Sequence, residues 1–137
     1  MPNTLLLVAF AETCGKNGHA EEELDWVAKG LAIAEQTGHR MLEAELYRVK
    51  GEVLMIKDPG NMVEGEGCLR TAIEVARQQG ARLFELRATV SLARLLKQRG
   101  GTVEARQMLA EIYNWFTEGF EFPDLKDTKA LLEELAT

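Results

Sequence analysis

The chain of 137 residues suits one domain large enough to bury a core, and its 46% hydrophobic and 28% charged residues are the balance of an ordinary globular protein. A formal charge of −6 argues against the basic surface that general nucleic-acid or anionic-membrane binding requires. No stretch approaches the roughly 20 apolar residues of a membrane-spanning helix. Two cysteines, Cys14 and Cys68, make no disulfide framework, and no basic residue precedes the short apolar run "LLLVAFA" (5–11), so the expected setting is cytoplasmic, without export.

The predicted elements are helical nearly end to end, with no alternating strand pattern and no hairpin turn. The first begins with "LLLVAFA", apolar all round and therefore expected to be buried on every side. It lacks a polar outer face, so either an upstream repeat or a second copy is expected to cover it, and the prediction is a homodimer through Leu5, Leu6, Val8 and Ala9. After the break "CGKNG" (14–18), a second helix sets Glu21, Glu22 and Glu23 in its first turn. Carboxylates favour that amide end of the helix dipole and are expected there in solvent. The same helix carries the stripe Leu24, Val27, Ala28, Leu31 and Ala34.

"TGHR" (37–40) separates it from a third helix over "EAELYRVKGEVLM" (43–55), and "KDPGN" (57–61) ends that one. The fourth buries Leu69, Ala72, Ile73 and Ala76 and stops at "QQGAR" (78–82). The fifth buries Leu86, Val90, Ala93 and Leu96 and stops at "QRGGT" (98–102); the sixth buries Ala105, Leu109, Ile112 and Phe116. Gly119 breaks it, and Pro123-Asp124 opens a last helix with Leu125, Thr128, Leu132 and Leu135 on one side.

The junction "IYNWFTEGFEFPDL" (112–125) holds five of the chain's nine aromatics. Core aromatics at helical spacing are the common case, so the cluster reads as a seal over one end of the core. Tyr113 and Phe116 continue the sixth helix, and Phe120 and Phe122 are expected to fold back between it and the last. Trp115, one position off that stripe, is the member suited to touch a partner.

The helices recur as pairs. A small residue (Ala11, Gly51, Ala93) stands where paired helices approach closely, and these positions step by 40 and 42 residues. Gly18, Gly60 and Gly100 close each first helix. Glu23, Gly65 and Ala105 follow on the second helices, then Val27, Leu69 and Leu109, then Gly30, Ala72 and Ile112. The expectation is an all-α, right-handed superhelix of about three antiparallel helix pairs with a period near 41. Its repeats cover about 4–38, 40–79 and 82–117, with a capping helix over 123–136, all in one domain spanning 1–137.

These positions resemble the tetratricopeptide pattern, although that unit is about 34 residues and the extra length here implies longer helices. Glu23 stands where that pattern has alanine, and Cys14 where it has tyrosine. The closer likeness is to long-helix repeats at the C-terminal end of large bacterial regulators with an ATPase switch domain, some fused to an adenylate cyclase or a DNA-binding domain. The stretches that carry it are 43–55, "LRTAIEVARQQGARLFELRATVSLARLL" (69–96) and "EARQMLAEIYNWFTEGFEFPDLKDTKALLEEL" (104–135). The resemblance implies a sensing and contact arm without catalytic residues, hence roles in signalling and transcription regulation.

Residue chemistry points the same way. "GNMVEGEG" (60–67) has the glycine spacing of a phosphate loop but ends in Glu66-Gly67, where Lys and Ser or Thr are needed. His19 and His39 stand at helix boundaries without a metal-ligand spacing to either cysteine. No nucleophile, base and carboxylate set is visible, so the expectation is no enzyme, no cofactor and no metal.

The inner face remains. In this kind of superhelix the first helix of each pair lines the concave surface, which places Glu45, Arg48, Glu52 and Met55, then Arg87, Val90, Arg94 and Lys97, inward. Residues 81–120 hold 6 basic against 4 acidic side chains, so this strip is expected to meet an acidic peptide segment of a protein partner. An anionic small-molecule inducer held by Arg48, Arg87 and Arg94 is the alternative. The competing reading is a solvated face with helical ion pairs, such as Arg48 with Glu52 one turn on.

Overall fold

The computed structural model describes residues 20–38, 40–57 and 62–136. The run 5–11 with its expected dimer contacts Leu5, Leu6, Val8 and Ala9 lies outside the described residues, as do Cys14, His19 and His39. Among the described residues the protein is all-helical: α1 (Ala20–Thr37), α2 (Glu43–Lys57), α3 (Met62–Gln79), α4 (Arg82–Gln98), α5 (Thr102–Tyr113) and α6 (Pro123–Leu135). None of these helices is long and apolar enough to cross a membrane.

The turns between helices follow from glycine. Gly80 and Gly100 adopt positive φ (68° and 85°), which only a residue without a β-carbon takes at little cost. At each, two N–H groups fold back over the helix end: Ala81 to Ala76 and Gly80 to Arg77, then Gly101 to Leu96 and Gly100 to Lys97. These bonds satisfy carbonyls that α3 and α4 would otherwise leave open, and they reverse the chain within a few residues.

Consecutive helices therefore pack side by side and antiparallel. Arg77 near the end of α3 pairs with Glu85 near the start of α4, while Glu66 near the start of α3 pairs with Arg99 just past the end of α4. Alternate helices behave differently. α2 touches α4 and α4 touches α6, whereas the backbones of α1, α3 and α5 stay apart, α3 reaching α5 through the Arg70–Glu104 ion pair. Glu45 and Glu52 of α2 meet Arg87 and Ser91 of α4 in the same order along the chain, so these two helices run parallel. Arg87 with Asp124 and Lys97 with Glu134 set α6 parallel to them. The described residues thus form two layers, with α2, α4 and α6 in one.

The core lies between the layers. Leu69, Leu86, Leu92, Leu95, Leu96 and Leu109 are fully buried in its main cluster, with α4 as the central helix. A smaller cluster of Val27, Leu46, Val49 and Val53 joins α1 to α2, where Gly30 makes room for the Leu46 side chain. At the crossing of α2 and α3 the backbones themselves approach. A β-carbon on Gly51 would lie 2.9 Å from the Gly65 carbonyl oxygen and 3.0 Å from Leu69 Cγ.

Three sequence expectations are corrected here. Glu23 is 1% exposed, not solvated with Glu21 and Glu22, because its position falls on the face α1 turns inward. On α6 the buried leucine is Leu131; Leu132 is only half-buried beside Leu125, Thr128 and Leu135. Phe120 and Phe122 are not mortar between α5 and α6, being 43% and 62% exposed. Tyr113 and Phe116 do pack on the core, and the seal at this end is completed by the leucines of α6.

A charged network fastens the outer edge. Glu66 accepts hydrogen bonds from Arg70 at 2.8 Å and pairs with Arg99, and Arg70 also reaches Glu104 of α5 at 3.0 Å. The Arg70 hydrogen bond holds the Glu66 carboxyl below its ordinary value of 4.5; partial burial opposes this, and the nearby arginine charges add to it. A depressed carboxylate pKa stabilises the fold above the ordinary value, and that stability is lost as pH falls through the lower folded value.

Gly51→Ala should lower the melting temperature, since overpacking against an immovable carbonyl costs about 1–3 kcal/mol and exceeds the ~1 kcal/mol helix-propensity gain. Gly67→Ala should raise it by about 0.5–1 kcal/mol of stability, because that methyl group meets nothing within 4 Å. Opposite shifts in thermal denaturation check the pair. Glu66→Gln should cost ~0.5–1 kcal/mol at neutral pH. Melting curves of the two proteins should converge as the pH drops below 4.5, where wild-type Glu66 takes up its proton.

Candidate functional site

The exposed side of α2, α4 and α6 carries a groove of about 430 Å³, lined from α2 by Arg48 and Glu52, from α4 by Leu86, Arg87, Val90, Ser91 and Arg94, and from α6 by Asp124 and Asp127. A second hollow of about 450 Å³ shares Glu52, Ser91 and Arg94 with it and continues past Met55, Ile56 and Leu95 to Gln98. One end is therefore charged and the other largely apolar, and Arg94 belongs to both.

The charged end is built on a buried carboxylate. The Glu45 side chain is 4% exposed, and burying a carboxylate is costly unless it is paired and hydrogen-bonded. Arg48, one turn on, donates to both Glu45 oxygens at 3.0 Å and to Glu52 at 3.2 Å. Arg87 of α4 donates to Glu45 at 3.3 Å and to Asp124 of α6 at 3.2–3.3 Å. Ser91 donates to Glu52 at 2.5 Å. Burial is the largest single influence on Arg87 and opposes its charge, but the Asp124 hydrogen bonds and the charges of Glu45 and Asp124 outweigh it and raise its pKa. Arg87 also stacks over the Phe84 ring at 5.9 Å.

The structure brings Glu45, Arg48, Glu52, Arg87 and Arg94 to this one place, together with Val90 and Met55 of the predicted inner face. Lys97 stands apart, paired with Glu134 of α6 at 2.7 Å. The groove is not the basic strip that the sequence predicted. Arg48, Arg87 and Arg94 are matched by Glu45, Glu52, Asp124 and Asp127, three cations against four carboxylates. Two of the arginines are already engaged within the protein. Arg94 is exposed and forms no ion pair among the described residues.

Asp124 and Asp127 were missed in the sequence because α6 reads there as a cap, whereas in the fold its start supplies one wall of the groove; Ser91 was missed because it falls between the inward positions expected on α4. Cys68 is half-buried, and burial pushes its thiol up, against the pull of Lys50. Among the described residues, no group of three or more His, Cys, Asp or Glu side chains is arranged to hold a metal ion. What the groove offers is recognition by shape, by apolar contact and by one uncommitted guanidinium. No family model, curated protein or solved structure matches the chain.

The two arginines should respond differently to charge reversal. Arg87→Glu sets a carboxylate beside buried Glu45 and Asp124 and should cost roughly 1–3 kcal/mol, less than loss of an isolated buried pair because Arg48 still holds Glu45. Arg94→Glu should change stability by less than about 0.5 kcal/mol. Chemical denaturation of the two variants beside the wild type checks both values.

Proposed function

We propose that the protein is a noncatalytic interaction or sensing module that takes a segment of a protein partner in the groove of α2, α4 and α6. The observation that carries this reading is the continuous groove, salt-bridged at one end and apolar at the other, with Arg94 uncommitted between them. A segment with apolar side chains followed by a carboxylate matches it: the apolar part lies along Met55, Ile56 and Leu95, and the carboxylate reaches Arg94. The fixed ion pairs mean that little ordering accompanies binding, which favours affinity.

In this reading the helix pairs are tetratricopeptide-like units of a right-handed superhelix with a period near 41. The parallel order of α2, α4 and α6 supports it, as does the 42-residue separation of the paired residues Glu45 and Arg87. The resemblance to the repeat arms of bacterial regulators then suggests a place in signalling or transcription control, within the cytoplasm. A second reading, an anionic small molecule as inducer, is favoured by the groove volume of about 430 Å³, which lies in the range of small-molecule sites.

Thermal-shift screening separates the two. Apolar–acidic peptides that raise the melting temperature support the adaptor, and anionic metabolites that do so support the receptor. Arg94→Glu should weaken the bound probe about ten- to a hundredfold, the weight of a charged hydrogen bond, as read by calorimetric titration. Unchanged affinity in that variant would remove the groove from consideration.

A further inference from the structure

Beyond the groove, the end of the molecule between α5 and α6 leaves apolar surface uncovered. Trp115, Phe120 and Phe122 are 54%, 43% and 62% exposed within one short loop. Scattered exposed apolar residues are normal, but three exposed aromatics within one short loop mark a contact surface. Beside them lies a cup of about 630 Å³ walled by Tyr113, Phe120, Lys126, Lys129, Ala130 and Glu133. The Phe120 and Tyr113 rings meet at 5.7 Å and tilt to form its floor. Gly119, at φ 80°, turns the chain, and the Phe122 N–H closes that turn on the Gly119 carbonyl at 2.9 Å. Phe122 lies over Gly119 and is not part of the cup wall.

The charges around this face are uncommitted and of both signs. Lys126 and Lys129, one turn apart on α6, form no ion pair among the described residues, and neither do Glu118 and Glu121 of the loop; all four are exposed. The loop thus presents an aromatic ring next to a carboxylate, Phe122 beside Glu121. The cup presents an aromatic floor with two cations on its rim. Each is the chemical complement of the other, and both sit at the same end of the chain.

We propose that this end is a self-association surface, in which a second copy of the chain inserts Phe122 into the cup and sets Glu121 against Lys126 and Lys129. Phe120 belongs to both the loop and the cup, so the two adjoin at one end of the molecule, and the contact is reciprocal across a two-fold axis, each copy supplying one loop and one cup. Glu133 on the cup wall repels the entering carboxylate and so directs it to the lysine side. A patch that carries both halves of the match is met best by its own copy, and an acidic chain gains from having its two lysines aligned with the partner's loop.

The test is the mass of the full chain by gel filtration with light scattering at about 50 µM. The wild type should run as two chains. K126E/K129E and E121K should each run as one chain, with melting curves close to wild type because all three positions are exposed; F122D should do the same. An equimolar mixture of K126E/K129E with E121K should return to the mass of two chains, since each loop then faces a cup of opposite charge. A wild type of single-chain mass overturns the proposal. So do charge variants that stay paired, which would place a dimer elsewhere, or a mixture that stays single.

Discussion

A buried carboxylate is the constraint around which the described part of this protein is arranged. Glu45 points inward from the first turn of α2, and its charge is tolerable only with hydrogen-bonded countercharges close by. Arg48 supplies one from the same helix, and Arg87 supplies another from α4. Arg87 in turn donates to Asp124 of α6 as its second partner, so one ionic chain spans three helices. That chain fixes which charges the groove can offer. Arg48 and Arg87 are neutralised before any ligand arrives, and among the described residues recognition by charge is left to Arg94 and the exposed Asp127.

Apolar packing answers a different need. The two layers approach closely where glycine removes side chains, at Gly51 with Gly65 and at Gly30 against Leu46. Close approach lets α3 and α4 bury leucines on adjoining faces, and it leaves the outer edge to be fastened by surface ion pairs such as Glu66 with Arg70 and Arg99. The interior sets the spacing of the helices, and the ionic edge ties α3 to α4 and α5. Such exposed networks weaken with salt and acid, while the glycine crossings do not.

The aromatic junction after α5 divides between these roles. Tyr113 and Phe116 face the core because they continue the helical stripe of Ala105, Leu109 and Ile112. Beyond the helix end that periodicity no longer applies, and Gly119 redirects the chain. Trp115 meets the Phe116 ring edge-to-face at 5.2 Å and carries the Arg82 guanidinium over its ring at 5.3 Å, while Phe120 and Phe122 are exposed. Sealing falls to Leu125, Leu131 and Leu135, whose spacing on α6 matches the core.

The sequence by itself determined that the described chain is helical and where its helices stop. Apolar residues at 3.6-residue spacing and glycines at helix ends are local signals, and they marked α3, α4 and α5 and the turns at Gly80 and Gly100. It also marked Gly51 and Gly65 as close-approach positions, and brought Glu45, Arg48, Glu52, Arg87 and Arg94 to one face, since the repeat carries a three-dimensional relation in a one-dimensional spacing. Tertiary structure decided the rest. That Glu23 is buried, that Asp124 and Asp127 wall the groove, and that Phe120 and Phe122 are open to solvent depend on which helix lies against which. The charge of the groove is the clearest instance: the basic excess of residues 81–120 is cancelled by carboxylates from α2 and α6, and electrostatics depends on distance in space, not on position along the chain.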